Sequence, residues 1–377
     1  MMQPKFSVFV FCVILLSCNI RKSEPYTSLL IGDWTCIDND TSQGSKRFRR
    51  NILEGYEFQD NGICHKKRGY YKKIRSRIPG MENASGDRTE RITTYFLGTE
   101  TKYKIDGDVL SIFDLTDSAW QEAIILRLSN DTLSLQLSDN TTTNFVRTRY
   151  QFDTTQLFDE VVVSTSGCFG TCPITSTLIS QSGEVVYYGE QHTIHNGLYR
   201  FTLTKEEYNK VRSDFAKAKF NELEKTYEAD WTDDEEITIT FLKHGKIVKS
   251  ITDYGKVGPN ELFWAYTPVR SMYQLKVLDS ITTSPSVLGQ PREFMSSIQS
   301  ALDLSKSETF YLWNLLRQST EVNVPFVKKY SIGFDEGYEI RKLETDGRYF
   351  AFETSGGKRI TFDIGFNYFE INGLNKK

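Results

Sequence analysis

The residues with the most chemical potential lie in one short stretch, Cys168-Phe169-Gly170-Thr171-Cys172-Pro173. Two thiols so close can close a tight ring, work as a dithiol redox pair, or supply two of the four ligands of a zinc site. Gly170 provides the bend that a small ring needs, and a structural disulfide is the main reading. The chain-entropy gain from such a loop is only about 2 kcal/mol, so its job would be to fix a turn. The redox alternative lacks both the Cys-x-x-Cys spacing and a surrounding strand–helix–strand unit. For zinc, His192 and His195 lie downstream, but their i, i+3 placement in a loop is not a finger spacing, and no metal ligand is assigned. The acidic run Glu228, Asp230, Asp233, Asp234, Glu235 and Glu236 offers oxygens for calcium without the order or glycine of an EF-hand, and reads as a solvated charge run.

Other chemistry is thin. No His-Glu-x-x-His, Gly-x-Ser-x-Gly, phosphate-binding loop or dinucleotide glycine fingerprint occurs, and no cofactor is implied. There are four histidines in all, and His65 and His244 stand alone, which leaves few candidates for a histidine triad. Carboxylate pairs carry no sequence signature, so acid–base hydrolysis by Asp and Glu stays open. Cys36 and Cys64 fall on expected strands, and the even number of remaining thiols favours a second disulfide between them.

Whether thiols oxidise depends on the compartment, and the first residues bear on that. Lys5 precedes Phe6–Leu16, an apolar run of signal-peptide length that is too short to span a bilayer as a helix, which needs about 20 residues. Leu15-Leu16-Ser17-Cys18 then resembles the lipobox of bacterial lipoproteins, although Leu16 stands where Ala or Ser is commoner. The resemblance implies a signal peptide over 1–17, diacylglycerol and acyl chains at Cys18, and a polar tether over 18–28. Asn19 rather than Asp after the cysteine points to the outer membrane under the same sorting rules. The partner is then a membrane, reached through lipid on Cys18, and disulfides persist outside the cytoplasm.

With 377 residues, 39% hydrophobic, the chain has material for more than one core. Tyr and Phe are abundant, at 20 and 25, which favours strands. A formal charge of -3 with dispersed Lys and Arg is not a nucleic-acid-binding balance; the one compact basic run, Lys46–Arg50, reads as a solvated loop.

The elements that must position these residues are mainly β with α+β parts. Residues 29–152 carry short alternating strands at Gly32–Ile37, Gly55–Phe58, Ile63–Lys72, Thr93–Phe96, Thr101–Ile105, Val109–Phe113, Glu122–Leu128, Thr132–Leu137 and Thr142–Tyr150. Asn61-Gly62, Asp106-Gly107 and Asn130-Asp131 mark turns. The count suits a closed barrel, with a long loop from Lys73 to Arg91 at its mouth. Gly32-Asp33-Trp34 in the first strand and Phe145-Val146-Arg147 in the last resemble small lipocalin-like domains. That resemblance implies a barrel floor plugged by Trp34 and covered by Arg147, and a small apolar or amphipathic ligand.

Residues 160–280 change to an α+β pattern with one main helix, opened by a capping box at Thr204 and Glu207, and a hairpin turning at His244-Gly245. The Cys168–Pro173 motif, Gly183–Gly189, the Leu203-Thr204 helix start and Thr232-Asp233 are similar to an uncharacterised domain family of Bacteroidota envelope proteins. The resemblance implies a fold and a compartment but no reaction. Residues 285–377 read as helices at Pro291–Leu302 and after Ser305, then a meander of strands at Phe326–Phe334, Tyr338–Glu344, Arg348–Thr354, Lys358–Ile364 and Tyr368–Asn372. The expectation is a non-catalytic envelope lipoprotein that binds a small ligand or an envelope protein partner. The alternative is an envelope hydrolase using carboxylates.

Overall fold

The computed structural model describes residues 24–37, 54–82, 88–152, 158–282, 304–335, 340–353 and 357–374, with Leu288 and Pro291. The expected signal peptide, Cys18, the Lys46–Arg50 run and residues 292–302 of the expected helix lie outside the described residues.

Alternation of apolar and polar residues closes the first part into an antiparallel barrel. Its strands are β1 (Gly32–Cys36), β2 (Gly55–Phe58), β3 (Ile63–Glu82), β4 (Arg88–Asp106), β5 (Val109–Asp114), β6 (Ala119–Leu128), β7 (Thr132–Gln136) and β8 (Thr142–Thr148). They pair in sequence order, and β8 closes on β1. Trp34, Cys36, Phe58, Cys64, Tyr103, Leu110, Leu133, Leu135 and Phe145 fill the interior. The intervening residues Asp33, Glu57 and His65 share a register row on the outer wall. Residues 73–82 and 88–91 of the expected Lys73–Arg91 loop are instead a continuation of β3 and β4, with Lys73 opposite Thr94, Ile74 opposite Thr93 and Arg75 opposite Ile92, and residues 83–87 lie outside the described residues. The Ile and Thr residues of this continuation suit a pleated ribbon, and the charge between them does not prevent pairing.

Helix α1 (Glu24–Leu30) occupies part of the stretch read as tether, and Leu30 enters the barrel core. The first described element therefore starts six positions after the expected anchor.

The next unit is an eight-stranded sheet of β9 (Glu160–Thr165), β10 (Ile174–Ile179), β11 (Glu184–Gln191), β12 (Gly197–Thr202), β13 (Thr226–Glu228), β14 (Glu236–Lys243), β15 (Lys246–Tyr254) and β16 (Asp279–Ser280), in the order β13-β15-β14-β9-β10-β11-β12-β16. Helix α2 (Lys205–Lys217) starts at the Thr204–Glu207 capping box and buries Tyr208, Val211 and Phe215. A second helix, α3 (Asn260–Ser271), followed by a 3-10 turn at Met272–Leu275, corrects the expectation of a single main helix. Pro268 lies inside α3, its N-cap is Pro259 with no side-chain bond, and buried residues surround it, so neither a cap nor an amphipathic period announces it. Both helices cover the face bearing Val161, Val163, Ile237, Ile239 and Phe241.

The opposite face, with Val162, Leu178, Val186 and Leu242, is covered by the C-terminal elements. These are α4 (Lys306–Gln318), capped by Ser305 and Glu308, then β17 (Thr320–Val322), β18 (Tyr330–Asp335), β19 (Ile340–Thr345), β20 (Tyr349–Glu353), β21 (Arg359–Asp363) and α5 (Tyr368–Ile371). Phe310, Trp313, Phe350 and Phe369 thus share one core with the central sheet. Helix α5 replaces the strand expected at Tyr368–Asn372. The Asn367 side chain accepts from the Glu370 N–H at 3.0 Å, and the adjacent Tyr368 and Phe369 are both buried, which a strand would point to opposite sides. No helix among the described residues is long and apolar enough to cross a membrane.

Candidate functional site

Cys168 and Cys172 form a disulfide with Cα atoms 5.6 Å apart. The loop it closes, between β9 and β10, is held to the acidic run by the Phe169 N–H, which donates to the Asp233 carbonyl at 3.1 Å. With both thiols bonded to each other, His192 and His195 have no cysteine ligands to join. Among the described residues no group of three His, Cys, Asp or Glu could hold a metal. The acidic run is not solvated throughout, contrary to expectation. Glu235 is buried and receives both guanidinium nitrogens of Arg270 on α3, at 2.5 and 2.7 Å, with Lys256 3.2 Å away. Burial of both charges is tolerated because the pair is bidentate.

Cys36 and Cys64 are buried thiols that no disulfide joins, which corrects the expected second bridge. Strand β2 lies between β1 and β3. Cys64 is level with Phe58 and Gly32, four residues along β1 from Cys36. At about 3.4 Å per residue and 4.8 Å per strand, that separation is far beyond a disulfide's reach. Burial in the barrel core pushes the Cys64 thiol up to about 12, so it packs as a small apolar group.

Trp34 and Arg147 are brought together, paired across β1 and β8, with the guanidinium 4.3 Å from the centre of the indole ring. The indole N–H donates to the Leu30 carbonyl at 2.6 Å, and Arg147 donates to the Leu29 and Ile31 carbonyls. These are the orphan carbonyls at the end of α1, so one cation both stacks on the plug and caps the helix that closes the floor. Gly32 has a φ of 121°, and a Cβ there would meet the guanidinium at 2.5 Å.

The densest cluster of charge was not evident in sequence. It lies where the outer wall of the barrel meets α2 and α3. Lys67 Nζ is 2.7 Å from Asp33 and donates to the Tyr150 hydroxyl at 3.0 Å, with the Trp264 ring centre at 4.7 Å. Lys217 bridges Asp33 and Glu57 at 3.2 and 2.9 Å, while Lys210 lies 2.6 Å from Asp214 and 3.5 Å from Glu57. Burial works to raise the Glu57 carboxyl, but the Lys210 and Lys217 ammoniums outweigh it and hold it down at about 2. Burial also lowers Lys67 and, with help from Lys210, His65. Lys210 moves the other way: burial would lower it, but Asp214 and Glu57 raise it. Gly55 makes the close approach of the two units possible. A Cβ there would come within 2.8 Å of the Lys67 chain and 3.3 Å of the Trp264 ring.

The space inside this cluster is about 30 Å³, sufficient for a water-sized group only. Beside it opens a cleft of about 490 Å³, lined by Gly32, Asp33, Glu57, Arg147, Thr148, Arg149, Tyr150, Phe152, Ser213 and Lys217. Asp33 and Glu57 are already neutralised by lysines. Arg149, which pairs with the exposed Asp131 at 2.6 Å, and the half-exposed Phe152 are the cation and ring most open to solvent there. Such a surface suits a molecule with an anionic group and an apolar part. It does not suit general acid catalysis by Glu57, whose carboxyl stays ionised at neutral pH.

Residues 159–273 match the family described as "Domain of unknown function (DUF6438)", which spans the sheet from β9 through α3 and the 3-10 turn. No curated protein shows significant similarity to the chain.

Proposed function

We propose that the chain is a non-catalytic lipoprotein of the cell envelope, anchored through Cys18 in the outer membrane, which binds a small amphipathic anion at the junction between its barrel and its α+β unit. The observation that carries this reading is the roughly 490 Å³ cleft beside the barrel floor, where Arg149, Tyr150 and Phe152 offer charge and ring surface together. The barrel interior is the less suitable place, because Phe58 packs on Tyr103, Phe145 packs on Tyr56, and Trp34 lies in the same buried cluster. Anchoring rests on the lipobox-like Leu15-Leu16-Ser17-Cys18 and the short span from Cys18 to α1. A carboxylate hydrolase has its best pair in Asp33 and Glu57, opposite each other on β1 and β2, but their lysine partners favour a fixed charge network.

Native mass spectrometry of the protein purified from its own host membranes tests the reading. A retained small molecule with an acidic group supports it, and an empty protein overturns it. Fractionation of a Cys18→Ala variant tests the anchor separately: release into the soluble envelope fraction is expected, and unchanged membrane association refutes lipidation at Cys18.

A further inference from the structure

Beyond the rim of the barrel, β3 and β4 continue as a two-stranded ribbon. The register places Cys64 level with Phe58 and Gly32 at the α1 end, and Lys66 level with Tyr56 and Trp34, so β3 runs from the closed floor toward the opposite rim and past it. The ribbon is fixed at its base. The Phe96 N–H donates to the Gln274 side chain at 2.8 Å, and Phe96 packs on Tyr71 with ring centres 5.2 Å apart. Past that point every residue from Lys72 to Ser76 is exposed, as are Ile92, Thr94 and Tyr95 opposite. A two-stranded ribbon standing alone is marginal in water and does nothing for the core.

Its composition sets it apart from the rest of the chain. Its two strands over 72–82 and 88–95 hold six Lys or Arg against two Asp or Glu, in a chain whose formal charge is -3. Directly opposed residues share a face, so Lys73 and Arg75 stand with Ile92 on one side, and Lys72 with Tyr95 and Ile74 on the other. Cations therefore project from both faces, each beside an apolar or aromatic side chain.

We propose that this ribbon is a docking arm for a linear anionic polysaccharide. A bilayer is flat and would call for cations gathered on one face, whereas a flexible polymer can follow both faces and both edges. Tyr95 gives a ring on which a sugar can stack, and the lysines supply sequence-independent attraction to carboxylate or sulfate groups. The choice of a glycan rests on the chain being exported; the ribbon's affinity for polyanions does not.

The test uses the full chain carrying Cys18→Ser, so that no lipid is attached, with fluorescent polygalacturonate as probe. Binding is expected, weakening steeply between about 50 and 200 mM salt as counterion release predicts. The triple variant Lys72→Ser/Lys73→Ser/Arg75→Ser should weaken binding by about tenfold or more and flatten the salt dependence. Because these side chains are exposed, its melting curve should match the parent, and Tyr95→Ser should weaken binding without changing the salt slope. No binding by the parent, or equal binding by the triple variant, overturns the proposal. Preferential binding to polyglutamate or to anionic vesicles overturns the glycan assignment.

Discussion

Lys217, near the end of α2, lies 2.9 Å from the carboxylate of Glu57 on β2, a contact that spans 160 positions and joins the α+β unit to the barrel wall. The same ammonium reaches Asp33 at 3.2 Å, so one side chain holds two strands of the barrel. Lys217→Met removes the charge and leaves both carboxylates under-compensated in a mostly buried place. The expected loss is about 2 kcal/mol, below the usual figure for a fully buried pair because both partners keep some solvent contact. Urea unfolding measures it, and hydrogen exchange should rise in β1, β2 and α2 together. A change within about 0.5 kcal/mol would mean that the junction is held by packing alone.

The junction should also respond to acid. Glu57 titrates near 2 when folded and at an ordinary 4.5 when unfolded, so its contribution is fully present above about pH 4.5 and is lost as the pH falls toward 2. That contribution is about 3 kcal/mol at most. His65, lowered by burial, acts with the same sign from its ordinary 6.5 downward: below that value the unfolded chain takes up a proton that the folded chain resists. Chemical denaturation between pH 7 and pH 3 should therefore show falling stability. Glu57→Gln should lower stability at pH 7 and flatten the slope below pH 5. An unchanged slope would remove Glu57 from the network.

The disulfide is expected to matter locally. Cys168→Ser with Cys172→Ser should cost about 2 kcal/mol, the chain entropy of so small a ring. Faster exchange should be confined to the β9–β10 loop and the Asp233 region that it contacts. A loss of about 5 kcal/mol, or disruption of the barrel, would assign the bond a wider role than fixing a turn.

The parts of this architecture that sequence makes legible are those with local causes. Alternation places Trp34 and Cys36 inside the barrel, Gly62 and Gly107 mark their turns through positive φ, and the Thr204–Glu207 and Ser305–Glu308 boxes open two helices. Helix α3 lacks such a cause, since Trp264, Ala265 and Tyr266 are buried in succession. The junction cluster is illegible for a different reason. Asp33, Glu57 and Lys67 look like ordinary outward-facing residues until α2 brings Lys210, Asp214 and Lys217 against them. The available signal was the i, i+4, i+7 spacing of those three on α2, a polar stripe next to the buried one formed by Tyr208, Val211 and Phe215. Cys36 and Cys64 misled because an even count of thiols says nothing about β2 lying between them.

The proposed site for a small amphipathic anion is the junction cleft rather than the barrel interior. Arg149 and Phe152 are exposed at its rim, and changing them removes the exposed Arg149–Asp131 pair but leaves the Asp33, Glu57, Lys67, Lys210 and Lys217 cluster in place. Native mass spectrometry of the host-purified protein beside its Arg149→Ala/Phe152→Ser variant is the direct measurement. A bound molecule is expected in the parent, with its loss from the variant at unchanged melting temperature. An empty parent, or equal occupancy in the variant, would contradict it.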